Sequence, residues 1–330
     1  MKSLCAPTRS TLVVALAFAL VSAGNTLALQ SEGRSITRTG PVRLVALNHA
    51  SIAFMVARTK ADCDHVELWN ADTKGVWRFG KPGPCTNLGS TGTGISAVGV
   101  SGNRALWIRY TGGNLRDWQL LTATTTQRMP RQVRLLEQDV DLPSPFLIGD
   151  STGGLGIPYA AGKQVVLLGA NGAAVFRFTD AARIVRVTAG KGPGGAVVAA
   201  LRETGEVVLL RTNGTVVRVV PFAAGAVKAI ALAPAGLVVQ IGGAVRIPGS
   251  SLPAAVLPEG AVMSDYAEGR ILYALKNETH ALSISNGADT LLLRSAGGAP
   301  IFTTADTHGL GWAQGRQVTF ACSGCVKVSR

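Results

Sequence analysis

The stretch Val165-Val166-Leu167-Leu168-Gly169-Ala170-Asn171-Gly172-Ala173-Ala174-Val175 returns forty-two residues later as Val207-Val208-Leu209-Leu210-Arg211-Thr212-Asn213-Gly214-Thr215-Val216-Val217. A Val- and Leu-rich run, an Asn-Gly turn and a second such run make one β-hairpin, and the same hairpin at a fixed period marks a repeating all-β array. That constrains the scaffold. It leaves the ligand open.

Helical periodicity is almost absent elsewhere, while short apolar runs bounded by Gly, Asn, Asp or Pro recur throughout. The 40 glycines and 15 prolines follow no collagen period and suit short strands joined by tight turns. The runs group into four-strand modules. The first takes Val42 to Leu47, Ser51 to Ala57, His65 to Asn70 and Gly75 to Phe79. The second takes Ile95 to Val100, Arg104 to Tyr110, Leu115 to Thr122 and Gln132 to Leu136. Four more cover Pro145 to Phe178, Ile184 to Val220, Val227 to Leu257 and Val262 to Leu293. The last offers only Leu310 to Ala313, Gln317 to Cys322 and Cys325 to Val328. A radial array has to close, and Arg34 to Arg38 can supply the missing outer strand. The expectation is an all-β, seven-bladed β-propeller of four-stranded blades spanning 29–330 as one domain, with six and eight blades left open.

Val66-Glu67-Leu68-Trp69-Asn70-Ala71-Asp72-Thr73-Lys74-Gly75-Val76-Trp77 resembles the third strand, turn and fourth strand of blades in the WD40-like and quinoprotein-like propeller superfamilies. Gly102-Asn103-Arg104-Ala105-Leu106-Trp107, Glu268-Gly269-Arg270-Ile271-Leu272-Tyr273 and Gln314-Gly315-Arg316-Gln317-Val318-Thr319-Phe320 resemble the turn into a blade's second strand. The whole chain is similar to secreted bacterial propeller proteins of no assigned function. The resemblance implies the fold; it supplies no residues for quinone binding, and no cofactor is expected.

Lys2 and Arg9 precede an uncharged run from Thr11 to Ala23, with small residues at Val21-Ser22-Ala23 and Thr26-Leu27-Ala28. This is the layout of a secretory signal peptide over 1–28, too short to span a bilayer comfortably. A cleaved, exported monomer with no membrane span is expected. Four cysteines would remain in an oxidising compartment, and the pairs Cys63 with Cys85 and Cys322 with Cys325 are expected to form disulfides. The Cys322-Ser323-Gly324-Cys325 motif lacks the second pair that a zinc site needs and the helix that thioredoxin-type chemistry needs.

The formal charge is +13, and +11 without the leader. An excess of that size attracts anionic polymers or simply keeps the chain soluble. The densest basic stretch is Arg104, Arg109, Arg116, Arg128, Arg131 and Arg134, interleaved with Trp107 and Trp118, a pattern that serves either polyanion binding or sheet packing. Gly149-Asp150-Ser151-Thr152-Gly153 matches a nucleophile elbow, but Pro158 and the glycines before it block the helix that must follow, so it reads as a turn. Gly92-Thr93-Gly94 runs into a strand rather than a helix and reads as an inter-blade loop. Asp139 and Asp141 read as a solvated linker, and Asn213 and Asn277 as glycosylation sequons at turns. His49, His65, His280 and His308 share no metal-ligand spacing, so no metal site is assigned. The function expected is a binding or scaffold module for a protein or an anionic cell-surface polymer such as a polysaccharide, with no specific nucleic acid. The alternative is a hydrolase or lyase with its site at the channel mouth, where residues gathered across blades escape linear reading.

Overall fold

A computed structural model describes residues 33–85, 92–192, 194–251, 254–267, 269–295 and 299–322. They form seven antiparallel four-stranded sheets, the blades of a β-propeller. Blade 1 holds β2 (Val42–Asn48), β3 (Ser51–Val56), β4 (His65–Asn70) and β5 (Val76–Arg78). Blade 2 holds β6 (Thr93–Ser101), β7 (Arg104–Gly112), β8 (Leu115–Thr124) and β9 (Arg131–Asp139). Blade 3 holds β10 (Phe146–Ile148), β11 (Ile157–Ala161), β12 (Gln164–Leu168) and β13 (Ala174–Thr179). Blade 4 holds β14 (Ile184–Gly192), β15 (Gly195–Arg202), β16 (Val207–Arg211) and β17 (Val216–Val220). Blade 5 holds β18 (Val227–Ala233), β19 (Gly236–Ile241), β20 (Ala244–Arg246) and β21 (Ala255–Val256). Blade 6 holds β22 (Val262–Ala267), β23 (Arg270–Leu275), β24 (Glu278–Ser283) and β25 (Asp289–Arg294). Blade 7 runs β26 (Ile301–Asp306), β27 (Gly309–Gln314), β28 (Gln317–Cys322) and, on its outer edge, β1 (Arg34–Thr37).

The closing strand is the one expected: Arg34 pairs with Phe320 and Thr37 with Gln317, so the ring is fastened by residues from opposite ends of the chain. The make-up of blade 7 differs from the expectation. Ile301–Asp306 is its innermost strand, and Leu310 to Ala313 falls in the second. Thr303 and Thr304 break the apolar run that would have announced β26. The segment Cys325 to Val328 and the leader over 1–28 lie outside the described residues.

The repeated hairpins show one chemistry. Gly172 N–H donates to the Gly169 carbonyl at 2.9 Å, and Gly214 N–H to Arg211 at 2.8 Å. Both glycines have φ +83°, and Asn171 and Asn213 each accept their second neighbour's N–H at 3.0 Å. This is a three-residue turn with glycine in the left-handed position, and the Asn side chain holds it closed. Asn286-Gly287 in blade 6 keeps the Asn contact, to Ala288 N–H at 3.0 Å, in a turn one residue longer, with Gly287 N–H donating to the Ser283 carbonyl.

Each blade buries both faces against its neighbours. Phe54, Trp69, Val318 and Phe320 fill the seam of blades 7 and 1, while Leu106, Ile108, Leu120, Phe146 and Ile157 fill that of blades 2 and 3. The seam of blades 6 and 7 is sparse among the described residues: its buried apolar cluster is Leu272, Ala281 and Ala305. Hydrogen bonds cross several seams near the axis. Asn48 Oδ1 accepts Gly102 N–H, Gln240 Oε1 accepts Met263 N–H, Asp265 Oδ2 accepts Ala305 N–H and Asp306 Oδ2 accepts His49 N–H. Burying these groups is tolerable because each finds a partner on the next blade.

Candidate functional site at the channel mouth

The innermost strands of blades 3 to 6 enclose a cavity of about 170 Å³, lined by Ile148, Asp150, Arg186, Thr188, Ile230 and Ser264 among others. At one end of the ring the turns from first to second strand of blades 1 and 7 meet. The β2–β3 turn presents His49 and the β26–β27 turn presents His308, positions 259 residues apart in the chain. Asp306 sits beneath both. Its Oδ2 accepts the N–H of His49 at 2.5 Å, and its Oδ1 accepts those of His308 at 2.7 Å and Gly309 at 3.2 Å. One buried carboxylate therefore sets the two imidazoles side by side.

The rings meet edge to face with centroids 3.8 Å apart. His49 Nδ1 lies 2.8 Å from both Nδ1 and Nε2 of His308, and the ligand atoms of His49, Asp306 and His308 all lie within 4.8 Å of one another. Partial burial, then the nearby His308, pulls the pKa of His49 below its ordinary value, with Asp306 opposing them. His49 has φ +54°, a left-handed turn conformation in which histidine is less rare than most residues.

Two more carboxylates belong to this end. Asp265, buried on β22, accepts the N–H groups of Tyr266 and Ala305; burial and the charges of Asp150 and Asp306 raise its pKa. Asp150 stands in the loop joining β10 to β11, walled by strands yet reached by solvent in the channel, and confinement raises its pKa. Acids and imidazoles from blades 1, 3, 6 and 7 thus share one mouth. No linear motif announces them, because each blade contributes only a residue or two.

The other residues singled out from the sequence lie elsewhere. The basic stretch lies entirely on blade 2, divided between its two faces. Arg104 is buried, donating to the Ala170 carbonyl and to Thr122 Oγ1, and burial, then the Arg131 charge, lowers its pKa. Trp107 and Trp118 are also buried, Trp107 stacked on Phe79. On the face toward blade 3, Arg116 lies 4.8 Å over the Tyr110 ring, and Arg134 donates to Gln164. Pairing opposite Thr122 puts Arg131 on that face too, whereas Arg109 shares the other with Trp107. Arg128 is exposed in the β8–β9 loop. Asp117 pairs directly opposite Glu137 at the tip of the same sheet, so the surface there is mixed rather than purely basic.

Cys63 and Cys85 form the expected disulfide, with Cα atoms 4.9 Å apart, around the hairpin of Trp69 and Trp77. Cys322 ends β28; its expected partner Cys325 lies outside the described residues. Ser151 sits in the β10–β11 turn and bridges Ala189 of blade 4, its Oγ buried without a hydrogen-bond partner, and so without a base, among the described residues. His65 is held by the Cys63 carbonyl and Glu67, and His280 by Glu278 with its ring stacked on Tyr273.

No protein-family model matches the chain, and no curated protein matches it. Among solved structures, the chain is similar to one in the Mitotic Checkpoint Complex at 15% identity, covering 96% of this chain and 99% of that one with a TM-score of 0.54. It also matches Sqt1 of Saccharomyces cerevisiae at 9% identity, covering 87% and 97%, with a TM-score of 0.47. At 15% identity the likeness to the first is one of fold alone, the propeller described above.

Proposed function

We propose that this seven-bladed propeller is an exported binding scaffold whose partner, a protein, docks on the edge of blade 2. The observation that carries the reading is the outer part of that blade. There Leu136, paired opposite Trp118, shares the face of Arg116 and Tyr110, while Leu115 and Leu135 lie on the other face of the same edge, and all three leucines are about half exposed on strands of nine and ten residues. Apolar side chains next to arginine and tyrosine are the composition of interface centres. The fold-level neighbour in the Mitotic Checkpoint Complex is itself part of an assembly, which fits a propeller used as a platform.

The test compares partners captured by the full chain and by Leu136→Asp/Arg116→Glu. A partner held by the first and lost by the second supports the reading; capture unaffected by the change overturns it. An anionic polymer is the other occupant. Heparin retention that falls steeply with salt and is lost in Arg116→Glu/Arg131→Glu would move the assignment to a polyanion, because release of condensed counterions makes such binding salt-sensitive. Export as a monomer is part of the proposal. N-terminal sequencing of the secreted chain should begin after Ala23 or Ala28.

A hydrolase or lyase at the channel mouth is the second reading, favoured by the convergence of His49, His308, Asp150, Asp265 and Asp306. It lacks a nucleophile paired with a base among the described residues, and so ranks below the scaffold.

A further inference from the structure

We propose that His49, His308 and Asp306 form a binding site for a divalent first-row transition ion of the zinc class, placed where blades 1 and 7 meet at the channel mouth. Two imidazoles and a carboxylate are the donor set that such ions prefer over calcium or magnesium. The donor atoms lie within reach of one ion: two nitrogens about 2.1 Å from a tetrahedral metal stand about 3.4 Å apart, and those of His49, Asp306 and His308 all lie within 4.8 Å of one another.

His49 Nδ1 is equally close to both nitrogens of its neighbour and so lies over the His308 ring, off both in-plane lone pairs; sharing one ion requires the half-exposed His308 side chain to turn a nitrogen toward it. The blade 3 loop runs close to the opposite nitrogen of His49, where a Cβ at Gly154, whose φ is +74°, would lie 2.9 Å from Nε2. Nδ1 is therefore the nitrogen turned toward His308. Asp306 is the anchor as well as the third donor, since its backbone contacts hold both turns whether or not an ion is bound. Such orienting contacts normally accompany metal ligands. His49 and His308 are both exposed, so the ion keeps coordination positions facing solvent.

The experiment is calorimetric titration of the full, metal-stripped chain with ZnCl₂ at pH 7.5, repeated with CoCl₂ to read the visible absorption of bound Co²⁺. One ion per chain is expected, with affinity falling at least 100-fold in His49→Ala and in His308→Ala and unchanged in His280→Ala. Circular dichroism and the melting temperature confirm that each variant is folded. Gly154→Ala gives a check that keeps every ligand: it should weaken binding by displacing His49. Zinc binding of equal strength in both histidine variants, or none at 100 µM metal in the unaltered chain, overturns the proposal. A sulfur-to-cobalt charge-transfer band would assign the ion to the cysteines instead and overturn it as well.

Discussion

Arg104 and Arg109 are five residues apart on β7, yet the pleat gives them opposite tasks. Arg104 turns inward and ties β7 to β8 and to the turn of the next blade, while Arg109 stays at the surface. Arg104→Ala should cost about 2 kcal/mol, the loss of hydrogen bonds from a charged, buried group. Arg109→Ala should stay within about 0.5 kcal/mol. Urea denaturation of the two variants measures both, and equal effects would contradict the assignment. Asp150 has a pH-dependent role. Its pKa is raised in the folded chain, so the native state holds more protons than the unfolded one from the ordinary carboxylate range upward. Stability is therefore lost as pH rises through the folded value. Asp150→Asn has no such proton to release and also removes a like charge from beside Asp265. The variant should match the unaltered chain at pH 3 and be more stable at pH 8; denaturation midpoints at the two values decide it.

Among the elements, β1 has the largest effect for its size. Four residues cover the edge of β28 that would otherwise stay open to pairing with another molecule. The residue just after β1 secures it: Arg38 meets Glu67 of β4 through both carboxylate oxygens, at 2.6 and 2.7 Å, and His65 contacts the same carboxylate at 3.2 Å. Burial pushes the Glu67 pKa up, but hydrogen bonds from His65 and Arg38 and their charges outweigh it, so the carboxyl ends below its ordinary value. A depressed carboxylate stabilises the fold above its unfolded pKa and stops doing so as pH falls through the folded value. Arg38→Ala should thus cost about 3 kcal/mol at neutral pH. That is the low end for a buried pair, because the Arg38 side chain keeps 26% exposure. The cost should shrink toward pH 3. Thermal melts across that range test it, and a penalty independent of pH would refute the role given to Glu67.

At the scale of the whole molecule, the ring is only as firm as its thinnest seam. Blades 6 and 7 share the small buried cluster of Leu272, Ala281 and Ala305, so this seam should open before the others. Amide exchange in β26 should run at least tenfold faster than in β12, whose Val165, Val166 and Leu167 are fully buried; equal rates would refute it. Much of this architecture was legible in the chain, because hairpin chemistry is local. Val165 to Val175 and Val207 to Val217 carry their turn, their alternation and their period in adjacent residues. The strand His65–Asn70 and the closing role of Arg34 to Arg38 could be read the same way. β26 could not, since Ile301-Phe302-Thr303-Thr304-Ala305-Asp306 has a weak pattern and owes its place to the blades beside it. What the sequence determined alone is the repeating unit and the need for the two termini to meet. Only the tertiary structure decided that Arg104, Trp107 and Trp118 pack inside, and that His49 meets His308 over Asp306. Which side chains share a surface depends on ring closure, and closure joins positions more than 250 residues apart that no local pattern can relate.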